Sequence, residues 1–186
     1  MTGRLSLALV HHPCVDKNGE VYATSVTNLD VHDIARASRT YGVQHFYVVH
    51  PVDAQRALVE TIAQFWDDGP GKARNRHRGE ALSTVRIVRT LEEAIDDETR
   101  VNGARPRVVS TSARPAEGTF TFPGLRARIE GGEDALLVFG TGYGLAPSAM
   151  ALADTRLAPL VGPTDYNHLS VRAAVAIVLD RLRAVA

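Results

Sequence analysis

Short apolar runs alternate along this chain with longer stretches in which apolar positions recur every three or four residues. Residues 5–10, 46–49, 85–88, 107–110 and 135–139 are the runs, each of the length of a buried strand. Between the first two, residues 30–41 place Val31, Ile34, Ala35 and Ser38 at i, i+3, i+4 and i+7, which predicts one packable helix stripe. Asn28 or Asp30 can cap its start and Gly42 can supply the left-handed residue at its end. Residues 55–66 gather Leu58, Val59, Ile62 and Trp66 by the same spacing, 91–98 read as an acidic helix, and 170–182 carry Val171, Val175, Val178 and Leu182 on one seam. Residues 111–124, with Thr111, Ser112, Pro115, Gly118, Pro123 and Gly124, read as a loop. The alternation predicts an α/β fold: a mostly parallel sheet with helices on both faces.

Length and composition narrow this to one domain over 1–186, because 186 residues that are 45% hydrophobic can bury one real core. Net charge is zero, 21 basic against 21 acidic side chains, so no global field draws the chain to nucleic acid or anionic lipid. The charge is nonetheless uneven, since Lys72, Arg74, Arg76 and Arg78 lie within seven residues. They are either a phosphate-binding surface or a solvated loop. The single cysteine, Cys14, excludes an internal disulfide, has no second thiol for a metal site and suits a reducing compartment. No apolar stretch approaches the roughly 20 residues of a membrane span, so a soluble, cytoplasmic protein without membrane contact is expected.

Candidate chemistry gathers near two loops. Gly140, Thr141, Gly142, Tyr143 and Gly144 follow the apolar run 135–139, at what should be the carboxyl end of a strand, where open α/β sheets bind ligands. Their G-x-G-x-G spacing lacks the second half of a dinucleotide fingerprint and the Lys-Ser/Thr of a phosphate loop. With few side chains and no cation, the loop suits an adenosine-like ligand held by backbone hydrogen bonds. The second loop, 160–170, lies where a strand is expected to end and the last helix to begin, which suggests one shared pocket.

Three ordered segments carry a resemblance: 26–43 with Asn28, His32 and Arg36, 137–145 with the three glycines, and 166–174 with Asn167, Leu169 and Ser170. Together they resemble the SPOUT superfamily of α/β-knot, S-adenosylmethionine-dependent RNA methyltransferases, and in particular a small bacterial family of predicted RNA methyltransferases. The likeness spans residues 5–182.

The resemblance implies a trefoil knot in the C-terminal third, S-adenosyl-L-methionine as cofactor, RNA as substrate, and a homodimer joined through the last helix. Carried onto this sequence, the cofactor loops would be 111–113 with Thr111 and Ser112, 140–145 with Gly140, Thr141, Gly142 and Gly144, and 160–170 with Leu160, Gly162, Asp165, Asn167 and Leu169. Arg36 would position or activate the RNA nucleophile, beside Asn28 and His32, and Lys72, Arg74, Arg76 and Arg78 would grip phosphates. From the residues alone, Arg36 could equally pair with Asp33 and His32 could be a solvated helix histidine. Asp165 could be a plain turn residue, and Ser170 is expected to cap the last helix. A non-catalytic RNA- or cofactor-binding module, or another nucleotide-binding α/β protein, stays open at this point.

Overall fold

The computed structural model describes residues 2–67 and 69–185; Met1, Asp68 and Ala186 lie outside the described residues. Among these the elements run β1 (Leu5–Val10), β2 (Cys14–Val15), β3 (Val21–Tyr22), α1 (Asn28–Thr40), β4 (Phe46–Val49), α2 (Asp53–Asp67), α3 (Pro70–Arg74), α4 (Arg76–Leu82), β5 (Val85–Val88), α5 (Leu91–Asn102), β6 (Arg107–Ser110), α6 (Phe122–Glu130), β7 (Ala135–Gly140), α7 (Pro147–Met150), β8 (Thr155–Arg156) and α8 (Val171–Arg183).

Six strands form one sheet in the order β5-β4-β1-β7-β6-β8, and every neighbouring pair in it is parallel. β1 is central: Leu7 pairs with Phe46 on one side and Leu137 on the other, and Val10 ends opposite Val49 and Gly140. Strand side chains alternate between faces, so Leu5, Leu7 and Leu9 join one core layer and Ala8 and Val10 the other. The first layer is closed by Val31 and Ile34 of α1, Val59 of α2, Leu82 of α4, Leu125 and Ile129 of α6, and Val175, Val178, Leu179 and Leu182 of α8. The second is closed by Leu91, Ala94 and Ile95 of α5 and Ala149 of α7. A buried Leu or Ile of this kind contributes about 1.5–3 kcal/mol, which explains why both faces must be covered.

The alternation of strands and helices stands as the sequence predicts, and several local expectations do not. Leu58 is 41% exposed and only Val59 of α2 is buried, because α2 rests along a narrow line on α4 and β5 at the edge of the sheet. The basic stretch 72–78 is helical instead of a loop. Pro70 occupies the first turn of α3, where its missing N–H costs nothing, and the Asn75 side chain accepts from the Arg78 N–H at 3.1 Å to start α4. Phe122, Pro123 and Gly124 open α6, with Thr121 as cap, so the loop ends earlier than its Pro and Gly suggest. The last strand is Thr155–Arg156 and touches only Val109 and Ser110 of β6, leaving 158–170 irregular.

Helix α1 starts two residues before the expected position. Its cap is Thr27, whose Oγ1 accepts from the Asp30 N–H at 3.1 Å and donates to the Asp30 carboxylate at 2.6 Å. Asp30 is thereby held, buried, at the head of the helix. Gly42, with φ of 68°, follows the last turn.

Candidate functional site

The carboxyl ends of β1, β6, β7 and β8 open into a cavity of about 850 Å³. β7 supplies its floor through Gly140, Thr141, Gly142 and Gly144, β6 one wall through Thr111, Ser112 and Ala113, and the segment after β8 the opposite wall through Leu160, Asp165, Asn167 and Leu169. Three segments separated by up to about 50 residues are thus brought to one space, at the place where parallel sheets bind ligands.

The glycine loop is shaped by its own packing. A Cβ on Gly140 would stand 2.8 Å from the Leu145 nitrogen, and Gly142 sits at φ of 62° with the Tyr22 hydroxyl where a Cβ would go. Residues 13–15 brace the loop from behind: Val15 N–H donates to Gly144 O at 2.9 Å, Tyr143 N–H to Val15 O at 3.1 Å, and Ala146 N–H to Pro13 O at 3.0 Å. Cys14 is buried and donates its thiol to Val10 O at 3.2 Å, in keeping with a core thiol. On the β6 wall, the Thr111 hydroxyl and N–H both donate to Val138 O, at 3.0 and 2.9 Å. The two walls are tied together where Asn167 Nδ2 donates to Ala113 O at 3.0 Å. Ser170 caps α8, accepting from Ala173 N–H.

Asp30, Arg172, His11 and Thr24 are among the lining residues whose place in the pocket went unread in the sequence. Asp30 faces the cavity as a buried carboxylate, in contact with Arg172 Nη1 at 3.4 Å; Arg172 Nε also reaches Asp33 at 3.4 Å. Asp33 thus pairs with Arg172, linking α1 to α8, and not with Arg36, the alternative that the sequence left open. His11 and Thr24 complete the floor. His11 Nδ1 meets Thr24 Oγ1 at 2.8 Å, and Thr24 Oγ1 meets Thr141 Oγ1 at 2.5 Å. Burial above all, then the neighbouring His50, lowers the His11 pKa to about 4 against a raising influence of Asp30, so the ring is neutral at pH 7. The carboxyl-edge rule, applied to β1 as well as β7, would have pointed to His11 as the first residue past Val10.

The remaining expected site residues lie apart from this cavity's lining. Gly162 is exposed on the loop beyond Leu160, and Asn28 is exposed in the first turn of α1. Arg36 is exposed six residues beyond Asp30, about 9 Å further along the helix axis. His32 packs edge-on against Trp66 at 5.9 Å, and burial together with the Arg78 charge lowers its pKa. Among the basic residues, Arg78 stacks over the Trp66 ring at 4.7 Å and Arg76 pairs with Glu80 at 2.9 Å, while Lys72 and Arg74 are exposed. Among the described residues no cluster of three metal-ligating side chains occurs, and no helix is long and apolar enough to cross a membrane.

The cavity lining suits an adenosine-like ligand and also carries two cations, Arg114 and Arg172. Its glycine turn exposes backbone, while exposed Tyr143 and Leu169 offer apolar cover at its mouth. Comparisons with known proteins agree. Residues 4–184 match a family described as SAM-dependent RNA methyltransferase. A protein of Aquifex aeolicus, named only as uncharacterized, is 44% identical over 95% of this chain and 86% of its own length. A tRNA (guanine-N(1)-)-methyltransferase of Nitratidesulfovibrio vulgaris is 49% identical over 96% of this chain, which spans only 41% of that relative's length. In structure, the SpoU methyltransferase AviRb of Streptomyces viridochromogenes, solved with AdoMet, superposes with a TM-score of 0.58 at 16% identity, over 98% of this chain and 57% of that one. The chain belongs to the S-adenosylmethionine-dependent RNA methyltransferase family and has the fold of the SPOUT enzymes.

Proposed function

We propose that the cavity at the carboxyl edge holds S-adenosylmethionine and that this domain transfers its methyl group to RNA. The observation that carries this reading is the convergence of 111–113, 140–144 and 160–169 on one cavity. Gly140, Thr141, Gly142 and Gly144 would take the ribose and methionine part through their backbone, Leu160 and Leu169 the adenine, and Thr111, Ser112, Asp165 and Asn167 the polar edges. Gly162, outside the lining, is left out of this assignment. The cofactor supplies a methyl carbon made electrophilic by its sulfonium; the protein has to orient the nucleotide and accept its proton.

Arg36 is assigned to the RNA, as the group that positions the nucleotide to be methylated. It projects from the same helix as Asp30 and shares its side of the molecule with Arg78, whose charge acts on His32. Lys72 and Arg74 extend that basic surface, and both are exposed. A knotted C-terminal third is part of the proposal: β7 lies between β1 and β6 although it follows β6 in the chain, and Asn167 returns to bond Ala113. So is a homodimer, for which the half-buried Ala173, Ala174 and Ile177 of α8 would provide a close-packing surface.

The test is calorimetry with S-adenosylmethionine followed by incubation of labelled cofactor with total bacterial RNA. Binding together with label in RNA is the expected result; binding without label leaves a binding module, and no heat at all rejects the site. Arg36→Ala should reduce transfer at least 100-fold while cofactor affinity stays within about threefold. Equal losses in both would take the positioning role away from Arg36.

A further inference from the structure

His11 holds a buried acceptor that no group among the described residues satisfies. It is 1% exposed, lines the cavity, and its Nε2 has no hydrogen-bond partner. Which hydrogen its ring carries follows from the surrounding bonds. Thr141 Oγ1 donates to Val10 O at 3.0 Å, which uses its only hydrogen. Thr24 Oγ1, 2.5 Å away, then donates to Thr141, and His11 Nδ1–H donates to Thr24 at 2.8 Å. Running the chain the other way would take the Thr141 hydrogen from Val10 O and make two bonds where three are available. The ring is therefore the Nδ1–H tautomer, and Nε2 is a bare, buried acceptor in a residue of the cavity lining.

The frame around it is equally fixed. His50 Nε2–H donates to Thr24 O at 2.9 Å, its Nδ1 accepts from Val52 N–H at 3.1 Å, and its ring lies 5.7 Å from that of His11. Thr24 N–H donates to His11 O at 2.9 Å, so Thr24 grips backbone and ring together. From α1, the Asp30 carboxylate, held by Thr27 and Arg172, faces the same space. The groups that bear on His11 are thus the His50 ring, the Thr24 and Thr141 hydroxyls, and the Asp30 carboxylate with its Arg172 partner.

We propose that His11 Nε2 is the proton acceptor of the methyl-transfer site, receiving the hydrogen of the nucleotide N–H or O–H that is methylated. The assignment rests on the reading of this cavity as the methyl-transfer site. In the step, a lone pair of the nucleotide atom forms the bond to the methyl carbon, and the electrons of the broken carbon–sulfur bond stay on sulfur. The attacked atom, now cationic and far more acidic, gives its hydrogen to Nε2. The positive charge of the sulfonium ends on the imidazolium, within reach of Asp30. Such a late proton needs only a weak base, and burial keeps the ring unprotonated and ready at neutral pH.

Single-turnover transfer by His11→Gln, at saturating cofactor and RNA, is expected to slow about 100-fold or more while cofactor affinity by calorimetry stays within threefold. A wild-type rate in this variant would overturn the proposal and leave the methyltransferase reading intact. A loss of cofactor affinity as large as the loss of rate would make His11 a cofactor contact and overturn it too. An inert wild-type protein would sink both readings. A second measurement keeps His11 in place: nitrogen NMR of the ligand-free, full-length protein should show Nδ1 protonated and Nε2 bare, and Thr24→Val should shift the population toward Nε2–H. A wild-type ring already carrying its hydrogen on Nε2 would refute the assignment.

Discussion

The two loops that face each other across the cavity are held in opposite ways. Residues 140–146 are fastened from behind by three backbone hydrogen bonds to residues 13–15 and by the Thr141 hydroxyl on Val10 O, and the Tyr22 hydroxyl occupies the space a side chain at Gly142 would need. Among the described residues, 158–169 have one backbone bond at their root, from Ala158 to Phe120, and one side-chain tether from Asn167 to Ala113. Their apolar side chains stand in solvent, Val161 at 71% and Tyr166 at 73% exposure. A rigid floor can aim a reactive group. A wall with few internal bonds can admit a ligand and settle on it afterwards, because little structure is lost when it moves.

The sharpest way to break this contrast is to strike the floor. Gly140→Ala puts a methyl group 2.8 Å from a backbone nitrogen that cannot turn aside, so it should cost about 1–3 kcal/mol and weaken S-adenosylmethionine binding at least 100-fold. Thermal unfolding and calorimetry read the two effects. If both stay unchanged, the floor is as pliable as the wall.

Acid should loosen the floor next. The folded pKa of His11 is lowered to about 4 from 6.5, so between those values the unfolded chain binds a proton that the native state refuses. Stability contributed by the neutral ring is complete above pH 6.5, falls as pH drops through this window and is gone below 4. The loss should be on the order of 3 kcal/mol, with burial of His50 adding in the same direction. Denaturant midpoints measured at pH 7 and pH 4.5 test it, and His11→Gln should flatten the difference.

The smallest effect belongs to the wall. Asn167→Ala removes one exposed hydrogen bond, so affinity for the cofactor should fall about five- to tenfold, the equivalent of roughly 1 kcal/mol, with a melting temperature within about 2 °C of the parent. A large drop in melting temperature instead would show the wall to be part of the folded frame.

Much of the fold could be read because it follows from local pattern. The runs at Leu5–Val10 and Ala135–Gly140 are apolar on both faces, as strands buried between helix layers must be, and Val31, Ile34 and Ala35 mark the inward side of α1 without ambiguity. Proline and glycine misled at one helix start: Pro123 and Gly124 read as loop, and they stand in the first turn of α6. The glycine loop and Asn167 belong to segments whose spacing gives them away. His11, Thr24 and Asp30 do not, since they come from three separate stretches of chain and meet only when the sheet is assembled. Their chemistry lies in a chain of hydroxyl hydrogens, which linear spacing does not encode.

The order of the strands carries a consequence for how the chain comes together. Residues 135–140 fill the gap between the first strand and the sixth, making continuous pairs with each. Until they are synthesised, the sheet β5-β4-β1 keeps an open, aggregation-prone margin along β1, and β6 stands without a strand partner because β8 also follows in the chain. A ribosome pausing before residue 135 would hold a chain whose central strand is unpaired along one whole side.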